Sequence, residues 1–446
     1  MSTDSVLTDL NSHLLGHILS MTKTHTVYAA DDICDEGGNL LLAKGKEISE
    51  RLNERLLVRK LQRPLETSLI VENGINVSAI LVKAQGVFTE NASVGAIANV
   101  YSKTILKSIS GIRLCPAASL LLTSLDSSRP HAFTHCVEVA ILAAAFGIHL
   151  QLQEDDIQRL VVAGLLHDIG ELYINSEYID QKRALTPSEW KHIAVHPKLS
   201  QMAIENFTNY PKSLANAVAE HHERINGSGY PHRMTGARIS RYGEILGIAE
   251  LLSGILRNKH HPIARATLSI KLIPGEFAPE LVNAMLEMRR ISNGMILSDD
   301  ADVKLSPDDL IQKTKEIGKS LTRAINEYTL ISQCKLSPIA KEIIDRTQIR
   351  IQQLTKSLAA VGLGDYFTVT YLDTFISDGF DEMCLELDII ASEIEWRLHD
   401  IAREISLKLE DITETERTTF MPLVFSLNQR HEPQPITQAE TLKLVA

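Results

Sequence analysis

The chain is poor in cysteine, in aromatic side chains and in positive charge. Its 446 residues hold five cysteines, Cys34, Cys115, Cys136, Cys334 and Cys384. The number is odd and no Cys-x-x-Cys occurs, which argues against a disulfide framework or a thiolate zinc site and for a reducing compartment. Tryptophan occurs only at Trp190 and Trp396, both within helical patterns where packing is expected rather than stacking on a base. Lysine and arginine number 45 against 56 acids, a net charge of −11. A non-specific binder of nucleic acid polymers needs a basic face, so that class is excluded. A small phosphorylated ligand in a local cationic or metal-lined pocket is not. The longest apolar run, near Val139–Gly147, is too short for a membrane span of ~20 residues. The opening MSTDSVLTDL lacks the basic and apolar segments of a secretory leader. A cytoplasmic protein with no membrane partner is expected. There is no internal repeat and no low-complexity tract.

What is present is mostly helical periodicity, and the expected fold class is mainly α. The length suggests two or three domains of ~100–200 residues. Residues 1–66 read as a small αβ appendage. Val27–Ala30 and Asn39–Ala43 flank an Asp35–Gly38 turn signal and predict a hairpin. Ser49 can cap a short helix carrying Leu52, Leu56, Leu57 and Leu61. Residues 67–295 contain no strand-rich stretch and read as an all-α domain with its motifs between 131 and 285. Helices are expected at 117–125, 130–150, from 153 to the His167-Asp168 pair, and at about 211–223, 239–258 and 277–291. The turn-rich 292–307 segment predicts a boundary before a C-terminal helical domain, 308–428. There Met383, Leu387, Ile390, Ile394, Ile401, Ile405 and Ile412 mark a seam that fits either a second copy of the chain or the chain's own helices. Residues 429–446, with Pro433 and Pro435, predict a flexible tail.

The chemistry-bearing residues lie in the middle. Glu220–Pro231 reads EHHERINGSGYP, a His221-His222 pair followed by a Gly-rich turn. Leu165–Gly170 reads LLHDIG, an apolar helix ending in His167-Asp168. His135 lies on an otherwise apolar helix and His196 precedes Pro197. Each feature alone fits a polar helix residue, a helix C-terminus or a core histidine. Together they come from successive helices of one all-α domain, and inward-facing imidazole and carboxylate groups can build a two-metal site in a bundle. Mixed N and O donors suit Fe, Mn or Zn over Ca or Mg. Two such cations about 4 Å apart activate a water and stabilise phosphoryl oxygens.

Residues 135–285 resemble the HD-GYP domain, a branch of the HD superfamily of metal-dependent phosphohydrolases, through His135, LLHDIG, His196-Pro197, HHERINGSGYP, Ile239–Ala249 and FAPELV at 277–282. The resemblance implies hydrolysis of the phosphodiester of cyclic di-GMP, a bacterial second messenger, to linear pGpG or GMP. It implies His135, His167, Asp168, His196, His221 and His222 as metal ligands, Asp168 bridging, and His167 and Asp168 as the catalytic pair. Glu250 stands where the family has a ligand aspartate. Two divalent ions, Fe or Mn, are implied. A third is not expected, because His131 replaces the glutamate that would hold it. Glu171, Arg224, Gly229, Tyr230 and Pro231 fall at substrate-side positions, and the loop at 227–231 can close over substrate or dock a signalling protein. Arg233 and Arg238 are further cationic candidates. The chain departs from the family at Glu171, where a lysine meets the phosphate, at Asn226, and at Ser253-Gly254 in place of Asp-Ala. These departures motivate two alternatives to catalysis on cyclic di-GMP: a degraded domain that senses the nucleotide or docks a partner, and an HD phosphohydrolase with another phosphorylated substrate.

Overall fold

The computed structural model describes residues 11–49, 56, 59–179, 185–257, 261–291, 307–360 and 381–428. The helix expected after Ser49 lies largely outside these residues, as do the 292–307 boundary up to Ser306 and the tail at 429–446. The chain divides into two compact units, Met1–Arg183 with His192–Ile263 and Glu276–Leu297, and Ala184–Lys191 with Ala264–Gly275 and Ser298–Ala446.

The first unit opens with α1 (Ser12–Met21), capped by the Asn11 side chain on the backbone of His13 and Leu14. Four short strands follow: β1 (Val27–Ala29), β2 (Ile33–Cys34), β3 (Leu40–Leu42) and β4 (Leu69–Val71). Their pairing corrects the expected hairpin. β1 pairs antiparallel with β4, Val27 opposite Val71, and the 35–38 turn closes only the smaller β2–β3 ladder. The turn chemistry was read correctly, since Asp35 accepts from the Asn39 backbone at 2.9 Å. Val27, Ala29 and Leu69 are all buried and Ala29 stands opposite Leu69, a pairing between segments far apart in the chain that no local pattern reports.

The remainder of this unit is helical: α2 (Val77–Glu90), α3 (Ala92–Ala98), α4 (Ser102–Gly111), α5 (Pro116–Ser128), α6 (Pro130–His149), α7 (Glu154–Leu166), α8 (Pro187–Ile193, whose last residues fall here), α9 (His196–Phe207), α10 (Lys212–Glu220), α11 (Arg241–Leu256) and α13 (Pro279–Ile291); α12 (Pro262–Leu272), between the last two along the chain, belongs from Ala264 onward to the second unit. Proline at the first turn starts α5, α6 and α9, where its missing N–H is no loss. Glu154, Asp155 and Asp156 complement the dipole at the start of α7. α6 is apolar all round and is the central helix, packed against α7, α11, α5 and α2. It is long and apolar enough to cross a bilayer, but it lies buried within the unit.

The second unit is built from α14 (Pro307–Ser332), α15 (Pro338–Ala360), α16 (Asp381–Lys408) and α17 (Glu414–Leu427). A Thr413/Glu416 capping box starts α17. Ile390, Ile394, Ile401, Ile405 and Ile412 of the predicted seam are buried in one cluster with Ile343, Ile351, Leu354 and Phe420. Of the two partners left open by the sequence, the chain's own helices take this face.

Candidate metal centre

Each donor is delivered by a helix end or a helix face. α6 presents His135 from its second turn. α7 stops at Leu166, so His167 is its C-cap and Asp168 the first residue beyond. Gly170 lets the chain turn back against α9, because a Cβ there would lie 2.2 Å from the His196 carbonyl oxygen. α9 opens with His196, α10 closes with His221 as C-cap followed by His222, and α11 carries Glu250. The two adjacent histidines therefore sit past a helix end rather than along a helix.

These side chains meet in two groups about one carboxylate. Glu250 Oε2 lies 2.8 Å from His135 Nε2 and 3.1 Å from His167 Nε2. His196, His221 and His222 form the second group, with His196 Nε2 and His221 Nε2 3.1 Å apart. Asp168 stands between: Oδ2 is 3.0 Å from His167 Nε2 and 3.8 Å from His135 Nε2, while Oδ1 is 3.2 Å from His196 Nε2 and 3.8 Å from His221 Nε2. One oxygen is thus turned to each group, as a bridging ligand requires.

The proton inventory tests whether this set fits metal ions. Nδ1 of His167, His196 and His221 lies 2.8, 2.9 and 2.5 Å from the carbonyl oxygens of Gly164, Ile193 and Val218. A carbonyl only accepts, so each Nδ1 carries a proton, and in the neutral form of each ring Nε2 is bare. Bare nitrogens then face one another and two carboxylates, in a site where His167 and His221 are fully buried. His167 Nε2 and Glu250 Oε2 are buried without a hydrogen-bond partner among the described residues. Such an arrangement is repulsive unless positive charge, metal ions or protons, occupies its centre. Without metal ions, protons take the place of cations: burial lowers His167 and His196, but Asp168 outweighs it and raises both above the ordinary imidazole value, so metal and protons compete for these nitrogens. Burial pushes Glu250 and Asp168 up, but His135 and His167 beside the first, and His167 and His196 beside the second, outweigh it and hold both carboxyls well below their ordinary range. Burial, with His167 and His196 adding to it, pushes His221 down to about 3, which keeps that ring neutral. Ionised carboxylates and a neutral imidazole are the ligand forms a divalent cation takes.

A family model described as HD domain matches residues 120–266, a stretch that holds all of these donors. Residues 120–266 form an HD domain. Over 130 residues the chain is 28% identical to a 3'3'-cGAMP-specific phosphodiesterase of Vibrio cholerae, covering 29% of this chain and 28% of that protein. Over 125 residues it is 34% identical to a cyclic di-GMP phosphodiesterase of Borreliella burgdorferi, covering 28% and 33%. Over 176 residues it is 25% identical to a cyclic di-GMP phosphodiesterase of Pseudomonas aeruginosa, covering 39% and 42%. The chain spans less than half the length of each of these relatives.

Around the donors of the HD domain, the structure gives the remaining sequence candidates distinct places. Glu171 is not a lone anion: it accepts from Arg129 Nη1 at 2.7 Å, both side chains being largely buried. Burial and the Asp168 charge raise the Glu171 carboxyl, and Arg129 opposes them. Gly229 packs on the histidine pair, since a Cβ there would lie 2.3 Å from the His222 carbonyl oxygen and 2.5 Å from the Arg224 nitrogen. Tyr230 consequently stacks on the His222 ring, centroids 4.5 Å apart at 19°, and donates its backbone N–H to the His222 carbonyl at 3.1 Å. Pro231 follows through a cis peptide bond. Arg224 donates to the carbonyls of His221 and Glu223 and lies over the Phe277 ring at 4.9 Å. Arg238 donates to Thr235. Asn226 accepts from the Ser228 N–H at 3.0 Å, so its side chain builds the turn.

Sequence reasoning missed the loop clamps. Glu223 accepts from the backbone of His232 and Met234 at 2.6 and 2.8 Å, and Glu220 accepts from the Ser240 N–H at 2.8 Å. The available signal was a pair of acids flanking His221-His222 directly before a turn-rich stretch, whose backbone N–H groups need acceptors. Arg129, next to Pro130, carried no signal at all.

Proposed function

We propose that this protein is a metal-dependent phosphodiesterase that hydrolyses cyclic di-GMP to linear pGpG or GMP in bacterial second-messenger signalling, acting in the cytoplasm. The observation that carries the reading is Asp168, with one carboxylate oxygen turned to each donor group. It supports two divalent ions, one on His135, His167 and Glu250, the other on His196, His221 and His222, with Asp168 reaching both. The imidazole and carboxylate donors favour Fe or Mn. When bound, such a pair activates water and neutralises charge on the phosphoryl oxygens during in-line displacement. The chain's own residues do the rest. The backbone carbonyls of Gly164, Ile193 and Val218 fix three imidazoles in one tautomer. Tyr230, pinned by Gly229, sets a ring face beside the centre, and Glu220 and Glu223 hold its loop. His131, at the position of the third-ion glutamate, is exposed, which fits a two-ion centre.

The departures that favoured a degraded sensor each have a constructive place. Arg129 neutralises Glu171, Asn226 builds a turn, Glu250 reaches two histidines and Ser253 contacts His135 at 2.9 Å. The test is an anaerobic purification, loading with Mn or Fe(II), and chromatography of products from cyclic di-GMP and, in parallel, 3'3'-cGAMP. Product from the first, lost in His167→Ala and Asp168→Ala, supports the proposal. Faster turnover of 3'3'-cGAMP reassigns the substrate. Binding without product in metal-loaded protein sinks the enzyme in favour of the sensor. The reading extends to a signalling protein docking at the 227–231 loop and to a homodimer through the C-terminal helices. Such a dimer would use outer faces, where Leu330, Ile349 and Trp396 are exposed, and light scattering reads its mass.

A further inference from the structure

His135 differs from the other rings in how its second nitrogen is held. Its Nδ1 lies 2.9 Å from the Ser253 hydroxyl, a side chain of another helix, whereas His167, His196 and His221 use the carbonyl three residues back. Ser253 in turn donates to Glu138 Oε2 at 3.0 Å. Ser253 is fully buried and Glu138 nearly so. Glu138 is held from its other sides, accepting from Arg257 Nε at 2.7 Å and from Asn91 Nδ2 at 3.0 Å. The layout is two pairs one turn apart on facing helices: His135 and Glu138 on α6, Glu250 and Ser253 on α11.

We infer that Ser253 and Glu138 are positioning residues that set the tautomer of His135 and thereby make its Nε2 a metal donor. A carboxylate only accepts, so the hydroxyl proton points at Glu138 and the hydroxyl oxygen turns its lone pairs to His135. Nδ1 must then carry a ring proton, which leaves Nε2, 2.8 Å from Glu250 Oε2, as the nitrogen that a metal ion can take in exchange for a proton. The charge of Glu138, passed through the hydroxyl, makes the ring a stronger donor, as outer carboxylates do for ligating histidines. The relay also ties α6 to α11, so one hydrogen-bond chain places both His135 and Glu250. It explains why a serine serves at position 253: the anion that the relay needs is supplied by Glu138 on the opposite helix.

The inference rests on the metal reading of this site, not on the identity of the substrate. Its test is equilibrium Mn binding to the full-length chain by calorimetry, for wild type, Ser253→Ala, Ser253→Thr and Glu138→Gln. Ser253→Ala should weaken one of the two ions by about tenfold to a hundredfold and leave the other unchanged. Ser253→Thr, which keeps the hydroxyl, should bind both as wild type does, and Glu138→Gln should fall between. Equal affinity for both ions in wild type and Ser253→Ala overturns the inference. Nitrogen NMR of metal-free protein labelled at histidine reads the tautomer directly and also serves if Ser253→Ala fails to fold. A proton on Nδ1 of His135 is expected, and an unprotonated Nδ1 in wild type overturns the relay. Wild type that binds Mn but yields no nucleotide product would sink the phosphodiesterase reading while both measurements here still stand.

Discussion

Glu171 shows how a single residue changes meaning once its partner is known. In the sequence it is an anion beside a bridging aspartate and a phosphorylated substrate, which suggests that a lysine there would help. In the structure it is one half of a buried pair with Arg129, whose Nε and Nη2 have no partner among the described residues. Glu171→Lys would set an ammonium against that guanidinium. Breaking a buried pair by removing one member costs about 3–5 kcal/mol, so this variant should unfold at lower urea and turn over less substrate. The swap Arg129→Glu with Glu171→Lys should recover most of the stability. Wild-type stability in Glu171→Lys alone would show that the pair is dispensable. The residues that the structure brings together at the candidate centre were legible where they sit in short motifs, LLHDIG and HHERINGSGYP, and for His135 and Glu250 through the resemblance. Arg129, Glu138 and the relay were not, because their partners lie far along the chain and only the packing of α6 brings them near.

Among the elements, the 227–231 loop carries the sharpest geometric demand. Any side chain at Gly229 meets the backbone of His222 and Arg224, so Gly229→Ala must lift the loop and unstack Tyr230. Misplacement of about 1 Å in a substrate-positioning group can lower turnover about a hundredfold. That loss is expected with Mn content unchanged. Gly254→Ala is the control: a Cβ there meets open space among the described residues, and replacing a helical glycine should stabilise by up to about 1 kcal/mol. A second element-level contact joins the N-terminal segment to the 169–173 turn, where Tyr173 donates to Glu66 at 2.8 Å. Burial raises the Glu66 carboxyl above its ordinary value, with the Tyr173 hydrogen bond opposing it. The folded state therefore holds a proton that the unfolded chain gives up. The stability from Glu66 is complete below the ordinary glutamate range and declines as pH rises above it. Glu66→Gln keeps the acceptor for Tyr173 and removes the titration. Its melting temperature should match wild type near pH 4 and exceed it by a few degrees near pH 7. A gain that is the same at both pH values would contradict this assignment. The helix starts expected at 130 and 153 were readable, because caps and dipoles are local. The β1–β4 pairing was not, because strands this short carry no register of their own.

At the scale of the molecule, the isoleucine period of α16 was legible, but a period cannot say which helices it meets. Burial in the second unit answers that, and an ion network beside the seam reinforces it. Arg350 on α15 donates to Asp400 at 2.7 Å and to Glu404 at 2.6 Å, both on α16, and Arg403 also reaches Asp400. Burial pushes Asp400 up, but Arg350 and then Arg403 outweigh it and hold the carboxyl below its ordinary value. A lowered folded-state value means stability that is present above the ordinary aspartate range and lost as pH falls through the folded one. Arg350→Met removes the shared cation and leaves Asp400 and Glu404 one turn apart, with Arg403 and Arg397 still acting on Asp400. The variant should lose about 3–5 kcal/mol near pH 7. Without Arg350 the burial of Asp400 would raise its carboxyl, so the deficit should shrink as pH falls towards about 4. Urea unfolding of both proteins across that range reads the difference. A deficit that stays constant would mean that Arg350 acts through its packing on α16 and not through its charge.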